Sequence, residues 1–408
     1  MPSIDEQIAL LMQGTEYGDE GLKQAMEREL RERLIEAQKE GRPLRVYCGF
    51  DPRTSDLHLG HTIPMRKLRQ FQELGHEVTF LVGNYTSLIG DPSDKDKLRP
   101  QLTPEEVEHN AQTYAEQAYK ILDRSKTRVR YNAEWLSRLT FADLIRLASN
   151  FTVQQFLQRE NFKLRVERND PIYLHETFYA LMQGYDAVAQ QTDVQVGGSD
   201  QLFNIVVAGR KMQEAEGQQA QIAIIMAILP GTDGFIKMSK SLGNHIPLLS
   251  TPEDMYGKVM SVPDSAMPLY YKLVSRYTPA QIAAIEQGQA DGARHPRDVK
   301  MELAREIVGI FHGPETVAAA EQNFISIFQQ HALPEDMEQV TVDRALTITD
   351  LLIFTHSAKS KNEARRLIDQ GGVKLEGVTI EDAMKLIEVS QPIVLQVGKR
   401  KFVKLMPR

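Results

Sequence analysis

The sequence of 408 residues contains one cysteine and no long apolar stretch. Cys48 alone excludes an internal disulfide framework, and no His/Cys group has the spacing of a zinc site. The longest apolar run, Ile222 to Leu229, ends at Pro230 and falls far short of the roughly 20 residues that span a bilayer. Acidic residues interrupt the first 21 positions, so no export signal is expected. We predict a protein of the reducing cytoplasm, with no membrane contact and no resident metal.

Net charge is modest overall but unevenly distributed. The formal net charge is −7, yet residues 343–408 contain 12 Lys and Arg against 8 Asp and Glu, a net +4, which leaves −11 for the rest. A basic segment on an acidic body is expected where one part of a protein meets a polyanion, although a solvated surface gives the same pattern. The length suggests two or three domains.

Apolar strands alternate with amphipathic helices in the first 250 residues. Strand patterns cover 44–50, 76–82, 129–131 and 222–229, and helical patterns cover 22–40 and 63–74, the latter with Pro64 in its first turn. Because strands that alternate with helices pair in parallel, this order predicts an α/β fold with a parallel sheet.

The second half of the chain changes its pattern twice. Threonine followed by proline marks helix starts at 103, 251 and 278, and from Thr251 the pattern is helical to about 330, which predicts an α-helical domain over 251–330. Residues 331–342 are predicted to be a linker. Over 343–408, a capping box at Ser360, a helix end at Gly371-Gly372 and a turn at Glu376-Gly377 predict a helix followed by a hairpin.

The sharpest local motif is His58-Leu59-Gly60-His61, which lies between the first strand and the next helix. Glycine lets a ligand approach the backbone, a helix start offers unpaired amides, and two imidazoles can donate to phosphate oxygens. The motif therefore indicates phosphate binding. Two surface histidines, or half of a metal site, remain alternatives.

A second motif is Lys237-Met238-Ser239-Lys240-Ser241, with glycines at 231, 234 and 243 around it. Two lysines in a glycine-flanked loop can close over a polyphosphate and neutralise the charge that develops at the α-phosphorus. Taken alone, this segment is more simply interpreted as a surface loop.

Together, in this order and about 180 residues apart on an α/β sheet, the two motifs resemble the signatures of class I aminoacyl-tRNA synthetases. The resemblance extends to bacterial tyrosyl-tRNA synthetases and covers nearly the whole chain. Its residues are Tyr47-Cys48-Gly49-Phe50-Asp51-Pro52, Gly90-Asp91-Pro92-Ser93, Tyr179 with Gln183 and Asp186, and Val196-Gly197-Gly198-Ser199-Asp200-Gln201. The resemblance implies a Rossmann-like parallel-sheet catalytic domain over 1–250, which includes a dimer-forming insertion at about 110–190. It also implies a small α+β S4-like domain over 343–408.

The resemblance implies a site for tyrosine. The residues that match this site in the family are Tyr47, Asp91, Tyr179, Gln183 and Asp186. Asp186 and Tyr47 match residues that bind the phenolic hydroxyl, and the other three match residues that hold the ammonium group. The spacing of four and three places Tyr179, Gln183 and Asp186 on one helix face.

The resemblance also implies sites for ATP and for catalysis. The ATP residues are Cys48, Gly49, Asp51, His58, Gly60, His61, Gly198, Asp200, Gln201, Lys237 and Lys240. The expected catalytic residues are His58, His61, Lys237, Lys240, Lys95 and Arg99, the last two acting on pyrophosphate. Asp94 departs from the family pattern, which has glycine in many members, and this weakens the assignment of Lys95. Mg²⁺ is expected to arrive with ATP, and no tightly bound cofactor is expected.

An RNA partner is implied by the S4-like segment. Its basic residues Lys359, Lys361, Arg365 and Arg366 are expected to meet the phosphates of tRNA(Tyr). The expected function is activation of L-tyrosine with ATP, followed by transfer of the tyrosyl group to the 3′-terminal ribose of tRNA(Tyr). A homodimer is expected, and no DNA partner.

Three other interpretations remain open from the residues. A tryptophan-specific sister enzyme shares the sheet and both phosphate motifs. Nucleotidyltransferases such as cytidylyltransferases also use a His-x-Gly-His turn. A synthetase-derived protein that binds RNA without catalysis is the third alternative.

Overall fold

The structure is a computed structural model that describes residues 2–52, 57–93, 103–328, 337–398 and 401–407. It divides into two compact units, Met1–Ala318 and Ala319–Arg408. No described helix is both long enough and apolar enough to cross a membrane.

A five-stranded parallel sheet forms the centre of the first unit. Its strands are β1 (Arg45–Phe50), β2 (Glu77–Val82), β3 (Thr127–Tyr131), β4 (Val194–Gly198) and β5 (Ile222–Met226). They lie in the order β3-β2-β1-β4-β5, and every neighbouring pair is parallel. The α/β prediction is confirmed. The order reverses direction beside β1, the position at which open parallel sheets place their ligands.

In sequence, the helices of the first unit precede β1, connect the strands of the sheet and follow β5. They are α1 (Ile4–Met12), α2 (Glu20–Glu40), α3 (Leu59–Glu73), α4 (Pro104–Ala118), α5 (Ala133–Leu136), α6 (Phe141–Ala148), α7 (Val153–Leu157), α8 (Glu160–Glu167), α9 (Leu174–Ala189), α10 (Arg210–Ala215), α11 (Pro252–Met260), α12 (Met267–Val274), α13 (Pro279–Ala290), α14 (Pro296–His312) and α15 (Pro314–Phe328), which continues into the second unit. A π-helical turn, Phe203–Gly209, precedes α10.

Two predictions about the sheet domain need correction. Helix α3 begins at Leu59 rather than at 63, because the side chain of His58 caps it by accepting the backbone N–H of Gly60; Pro64 therefore lies in its second turn. Strand β4 was not predicted, although it is the neighbour of β1. Its Gly197 and Gly198 weaken the strand pattern of the sequence.

The threonine caps are confirmed at all three predicted positions. Thr251 accepts the N–H of Asp254, and Thr278 accepts that of Gln281, each with proline in the first turn. Thr103 does the same for Glu106. Helices α11 to α14 belong to the first compact unit, so a separate domain over 251–330 stays a prediction.

The second unit is a small α+β structure. It contains β6 (Glu338–Val342), β7 (Leu346–Thr347), α16 (Ile348–Phe354), α17 (Lys361–Asp369), β8 (Val373–Leu375), β9 (Val378–Thr379), β10 (Leu386–Ile387), β11 (Ile393–Val397) and β12 (Lys401–Pro407). The main sheet has the order β6-β12-β11-β8-β9. Its apolar core includes Ile348, Leu351, Leu395 and Leu405.

The linker prediction over 331–342 is wrong for residues 338–342. These residues form β6, which pairs in parallel with β12, so the long-range partner decides the structure of a segment without a strong local pattern. The helix capped by Ser360 and the β8–β9 hairpin are confirmed. Glu376 and Gly377 both have positive φ, as a tight two-residue hairpin turn requires.

Candidate active site

A cavity of about 680 Å³ opens at the carboxyl edge of the parallel sheet. The ends of β1, β4 and β5 form its floor, and residues 236–242 cover one side. Of the described residues that the sequence predicted for tyrosine, ATP and catalysis, all line this one cavity: Tyr47, Cys48, Gly49, Asp51, His58, Gly60, His61, Asp91, Tyr179, Gln183, Asp186, Gly198, Asp200, Gln201, Lys237 and Lys240.

One wall of the cavity is a face of α9. Tyr179, Gln183 and Asp186 all line it, as their spacing predicts. Tyr179 and Asp186 are buried, so the polar groups on this face have been removed from bulk water. Such groups require partners, and the partners determine what the wall can recognise.

Asp186 is held by two N–H donors. Nε1 of Trp135 donates to its Oδ1 at 2.7 Å, and Nδ2 of Asn132 donates to its Oδ2 at 3.3 Å. Burial raises the pKa of Asp186 to about 8 against the effect of these two hydrogen bonds, and the charge of Asp51 raises it further. The carboxyl group is therefore placed to exchange a proton near neutral pH.

Two buried polar atoms in the cavity wall have no hydrogen-bond partner among the described residues. They are the hydroxyl oxygen of Tyr47 and Oε1 of Gln183. Burial and the nearby Asp186 keep the pKa of Tyr47 well above its usual value, so its hydroxyl stays protonated. An unpaired buried polar atom is unfavourable, and a ligand that pairs with it gains that energy.

The carboxylate of Asp51 joins the tyrosine-site residues more closely than its predicted ATP role suggests. It accepts the hydroxyl of Tyr179 at 3.1 Å and that of Thr86 at 2.8 Å. A side chain at Gly83 would begin 2.2 Å from this carboxylate, so glycine is required there for the close approach. Burial and the adjacent acid raise the pKa of Tyr179 well above its usual value.

Asp91 lies in a tight turn at the mouth of the same pocket. Its Oδ1 accepts from the backbone N–H and the hydroxyl of Ser93 at 2.9 and 2.6 Å, and its Oδ2 accepts from Nε2 of Gln201 at 2.5 Å. The sequence predicts that Gln201 binds ATP. Gln201 thus also fixes the side chain of Asp91, which the sequence predicts to bind the amino acid.

The rings of the two histidines of the first motif lie against each other at the start of α3, with an interplanar angle of 38°. Their ring centroids lie 3.8 Å apart, and Nδ1 of each accepts a backbone N–H, from Gly60 for His58 and from His58 itself for His61. Burial lowers the pKa of His58 to about 2 and that of His61 to about 4. Both rings are therefore neutral and carry their proton on Nε2, as donors to a phosphate require.

The lysine motif forms a loop braced against the end of β5. The backbone N–H of Met238 donates to the carbonyl of Leu229, and Asn244 accepts from the N–H of Ser239 at 2.8 Å. Nζ of Lys237 lies 3.6 Å from a carboxylate oxygen of Asp200. The loop therefore brings a cation to the part of the cavity that Asp200 lines.

Cys48 is a buried cavity residue whose thiol pKa is raised by burial and then by the charge of Asp200. A thiol in this state packs as a small, neutral group and not as a nucleophile.

Several predicted residues lie elsewhere, and several cavity residues were missed. Lys95 and Arg99 lie outside the described residues, as does Asp94. Lys359, Lys361, Arg365 and Arg366 belong to the second unit, where Lys361 pairs with Asp350 at 2.9 Å. The sequence did not indicate the cavity residues Thr86, Asn132 and Gln195, or Trp135, which contacts Asp186, because each is an isolated polar or aromatic residue without a motif.

No group of three or more His, Cys, Asp or Glu side chains in the described part of the chain could hold a metal ion. The titratable side chains that line the cavity include two neutral histidines, two lysines and four aspartates. This set suits a substrate that brings both phosphate and ammonium groups.

These features define a class of protein, an α/β enzyme that binds a nucleotide at the carboxyl edge of a parallel sheet. Residues 38–329 match the family model described as tRNA synthetases class I (W and Y). The "Tyrosine--tRNA ligase" of Moorella thermoacetica is 49% identical over 93% of this chain and 92% of its own length. That of Desulfotalea psychrophila is 45% identical over 100% and 99%.

Solved structures show the same fold. A C-terminally truncated mitochondrial tyrosyl-tRNA synthetase from Aspergillus nidulans has a TM-score of 0.62 at 23% identity and covers 80% of this chain and 93% of its own. An Archaeoglobus fulgidus tyrosyl-tRNA synthetase complexed with L-tyrosine has a TM-score of 0.60 at 22% identity, with 77% and 99% covered. The chain belongs to the class I tRNA synthetases for tryptophan and tyrosine and, within them, to the bacterial tyrosine–tRNA ligases.

Proposed function

We propose that this enzyme activates L-tyrosine with ATP and transfers the tyrosyl group to the 3′-terminal ribose of tRNA(Tyr). The observation that carries the proposal is that the buried carboxyl of Asp186 on α9 and the hydroxyl of Tyr47 on β1, which has no partner among the described residues, line the same cavity as the phosphate motifs. Identity of 45–49% to bacterial tyrosine–tRNA ligases supports it.

The phenol of the substrate is recognised by Tyr47 and Asp186. The substrate hydroxyl donates to a carboxyl oxygen of Asp186 and accepts from the hydroxyl of Tyr47, which has no partner among the described residues. Phenylalanine would leave the hydroxyl of Tyr47 without a partner and would offer no donor to Asp186, and tyrosyl-tRNA synthetases are the standard example of an enzyme that rejects a substrate analogue by this effect.

The opposite pole of the substrate is its ammonium group. We assign this group to Asp91, with Tyr179 and Gln183 as its neighbours in the cavity wall. The unpaired Oε1 of Gln183 supplies an acceptor, and Asp91 supplies the charge. A carboxyl group at each pole fixes both the position and the direction of the amino acid.

ATP enters as its Mg²⁺ complex and binds along the other half of the cavity. His58 and His61 donate from Nε2 to phosphate oxygens, and Lys237 and Lys240 neutralise the charge of the triphosphate. Asp200 and the backbone at Gly198 lie at the ribose end. We retain Lys95 and Arg99 as proposed partners of pyrophosphate from the family pattern alone.

The chemistry needs alignment and charge stabilisation and no side-chain nucleophile. A carboxylate oxygen of tyrosine attacks the α-phosphorus, the bond to the bridging oxygen breaks, and pyrophosphate leaves. A hydroxyl of the terminal ribose of tRNA then attacks the carbonyl carbon of the adenylate, and AMP leaves. Neutral histidines and two lysines stabilise the charge that develops in the first step.

The second unit is proposed to bind tRNA. Lys359, Lys361, Arg365 and Arg366 lie on or beside α17, and the 343–408 segment has a net charge of +4. A basic helix beside a hairpin suits the phosphate backbone of folded RNA more than the edges of its bases.

A homodimer and a cytoplasmic location complete the proposal. Large apolar side chains are exposed between 141 and 174, among them Phe141 at 77%, Val153 at 71% and Leu174 at 74%. Such exposure within the expected 110–190 insertion supports burial against a second copy. The single cysteine accords with a reducing compartment.

The test is exchange of labelled pyrophosphate into ATP, measured with each of the twenty amino acids and without tRNA. We expect exchange with tyrosine alone, and aminoacylation when tRNA(Tyr) is added. Exchange with tryptophan would overturn the specificity, and absence of exchange with every amino acid would overturn the proposed reaction.

A further inference from the structure

The turn that carries Asp91 is fixed from outside the cavity by the start of α8. Nδ2 of Asn161, a buried side chain, donates to the carbonyl of Pro92 at 2.7 Å. Nη2 of Arg159 donates to the hydroxyl oxygen of Ser93 at 2.7 Å. Two side chains two residues apart thus contact two successive residues of the turn.

Arg159 is a charged residue in a buried position beside this turn. Its side chain is 3% exposed, and its guanidinium lies between the rings of Phe162 and Phe203, 5.0 and 5.1 Å from their centroids. Nη1 has no hydrogen-bond partner among the described residues. A carboxylate oxygen of Asp91 lies 3.9 Å from Nη2. A buried cation is costly, so its retention beside one turn requires an explanation.

The hydrogen bonds of Ser93 have only one consistent direction. Arginine has donors and no acceptor, so the hydroxyl of Ser93 accepts from Arg159 and its proton must go elsewhere. That proton points to Oδ1 of Asp91 at 2.6 Å. The cation therefore polarises a hydroxyl that donates to the carboxylate, and both hydrogen bonds are strengthened by a charged partner.

Asp91 is thereby held on both oxygens. Ser93 fixes Oδ1, and Gln201 fixes Oδ2 from the side of β4. Nδ2 of Asn204, in the π-helical turn, donates to Oε1 of Gln201 at 3.1 Å and lies 3.4 Å from the hydroxyl of Ser93. The carboxylate has little freedom to rotate, which favours one position for any cation that it binds.

We propose that Arg159 is a positioning residue for amino-acid binding, which acts through Ser93 to orient the carboxylate of Asp91 toward the substrate ammonium group. Arg159 does not line the cavity and so acts on the substrate only through this turn. The inference rests on the proposed role of Asp91 as the ammonium partner. It assigns to α8 a part in substrate selection.

The first test compares Arg159→Met with the wild-type enzyme in tyrosine-dependent pyrophosphate exchange. The expected result is a KM for tyrosine raised about ten-fold or more, the size of a lost charge-assisted hydrogen bond, with the KM for ATP and kcat within about two-fold. Arg159→Lys keeps the charge and a donor, so it should recover most of the lost affinity. Arg33→Met is the control, because Arg33 is a buried arginine paired with Asp193 away from the cavity.

The second test uses two competitive inhibitors. Tyrosinol keeps the ammonium and phenol groups, whereas 3-(4-hydroxyphenyl)propanoate lacks the ammonium group. Arg159→Met should weaken tyrosinol about ten-fold and leave the propanoate nearly unchanged. Ser93→Ala should show the same selective loss, and the double variant should be no worse than Arg159→Met, because the two residues act in one chain.

Ser93→Ala also keeps the test decisive if Arg159→Met does not fold, since it preserves the guanidinium and its two aromatic neighbours. Equal weakening of both inhibitors, or additive losses in the double variant, would overturn the positioning role. Failure of the proposed function is distinguishable, because the wild-type enzyme would then show no tyrosine-dependent exchange at all.

Discussion

Replacing Asp186 with asparagine should stabilise the protein at alkaline pH while removing its affinity for tyrosine. The pKa of Asp186 is about 8 in the folded protein, against 3.8 for an ordinary aspartate. A folded-state pKa above the unfolded value means that the folded state holds the proton more tightly. Stability therefore falls as pH rises between the two values, and Asp186 contributes to this fall whereas asparagine does not.

The size of this change in stability follows from the pH interval between the two pKa values. Each pH unit changes the free energy of unfolding by about 1.4 kcal/mol, so the variant should gain about 4 kcal/mol relative to wild type between pH 5 and pH 8. The asparagine amide can accept from Trp135 but brings its own donors toward Nδ2 of Asn132, which costs about 1–3 kcal/mol at every pH. The variant should thus be no more stable than wild type near pH 5 and clearly more stable at pH 9.

The protein contains its own reporter for this measurement. Trp135 is the single tryptophan of the sequence, and its indole N–H donates to Asp186. Urea unfolding at pH 5, 6.5, 8 and 9, followed by tryptophan fluorescence, gives both midpoints and slopes. In the native wild type, fluorescence should titrate with a midpoint near pH 8, and this titration should be absent in Asp186→Asn.

Asp193→Asn is a suitable control, because Asp193 is equally buried but is paired with Arg33, so its replacement should destabilise the fold. Stability curves for Asp186→Asn and wild type that run parallel from pH 5 to pH 9 would refute the reasoning. Such a result would mean that the two N–H donors outweigh burial and keep the carboxylate ionised.

Three further predictions follow from single contacts. Tyr47→Phe should reduce discrimination of tyrosine over phenylalanine in exchange kinetics without lowering stability, because no described residue pairs with the hydroxyl that it removes; an unchanged ratio of kcat/KM for the two amino acids would contradict this role. Lys240→Ala should slow adenylate formation in single-turnover experiments while equilibrium binding of tyrosine stays near wild type, and a proportional loss of tyrosine affinity would refute its role in the transition state. Deletion of residues 343–408 should spare tyrosine-dependent exchange but weaken charging of tRNA(Tyr); equal loss of both activities would instead indicate a role in folding.

The local pattern of apolar and polar residues was sufficient to predict most of the sheet domain. The apolar runs at β1, β2 and β5 were recognisable because buried parallel strands are largely apolar, whereas β3, Thr-Arg-Val-Arg-Tyr at the sheet edge, shows only a short alternating pattern. Strand β4 has the sequence Val-Gln-Val-Gly-Gly, and its neighbours, not its own residues, make it a strand. Strand β6 was missed for the same reason, since its pairing with β12 connects residues about 65 apart in sequence.

The residues of the site divide in the same way, into those that a local pattern predicts and those that only the fold identifies. Residues that belong to contiguous motifs or to one helix face, such as Tyr179 and Asp186, could be assigned to one cavity from sequence alone. Supporting residues could not: Asn132 and Trp135 lie 51 or more positions from Asp186, Arg159 lies 68 positions from Asp91, and all three are recognised only by the atoms that they contact. A supporting residue carries no local pattern, since its function is defined by a distance.

The cavity is organised around unsatisfied polar groups, and this arrangement explains its selectivity better than shape does. Asp186 is a carboxyl with a raised pKa, and the hydroxyl of Tyr47 and Oε1 of Gln183 have no hydrogen-bond partner within the described part of the chain. Each lowers the stability of the free enzyme, and on the proposed function each is relieved by one group of tyrosine. A smaller or less polar amino acid can enter the same space, but it does not relieve these unfavourable contributions to the stability of the free enzyme. The binding energy that separates tyrosine from phenylalanine is therefore already stored in the folded protein before the substrate arrives.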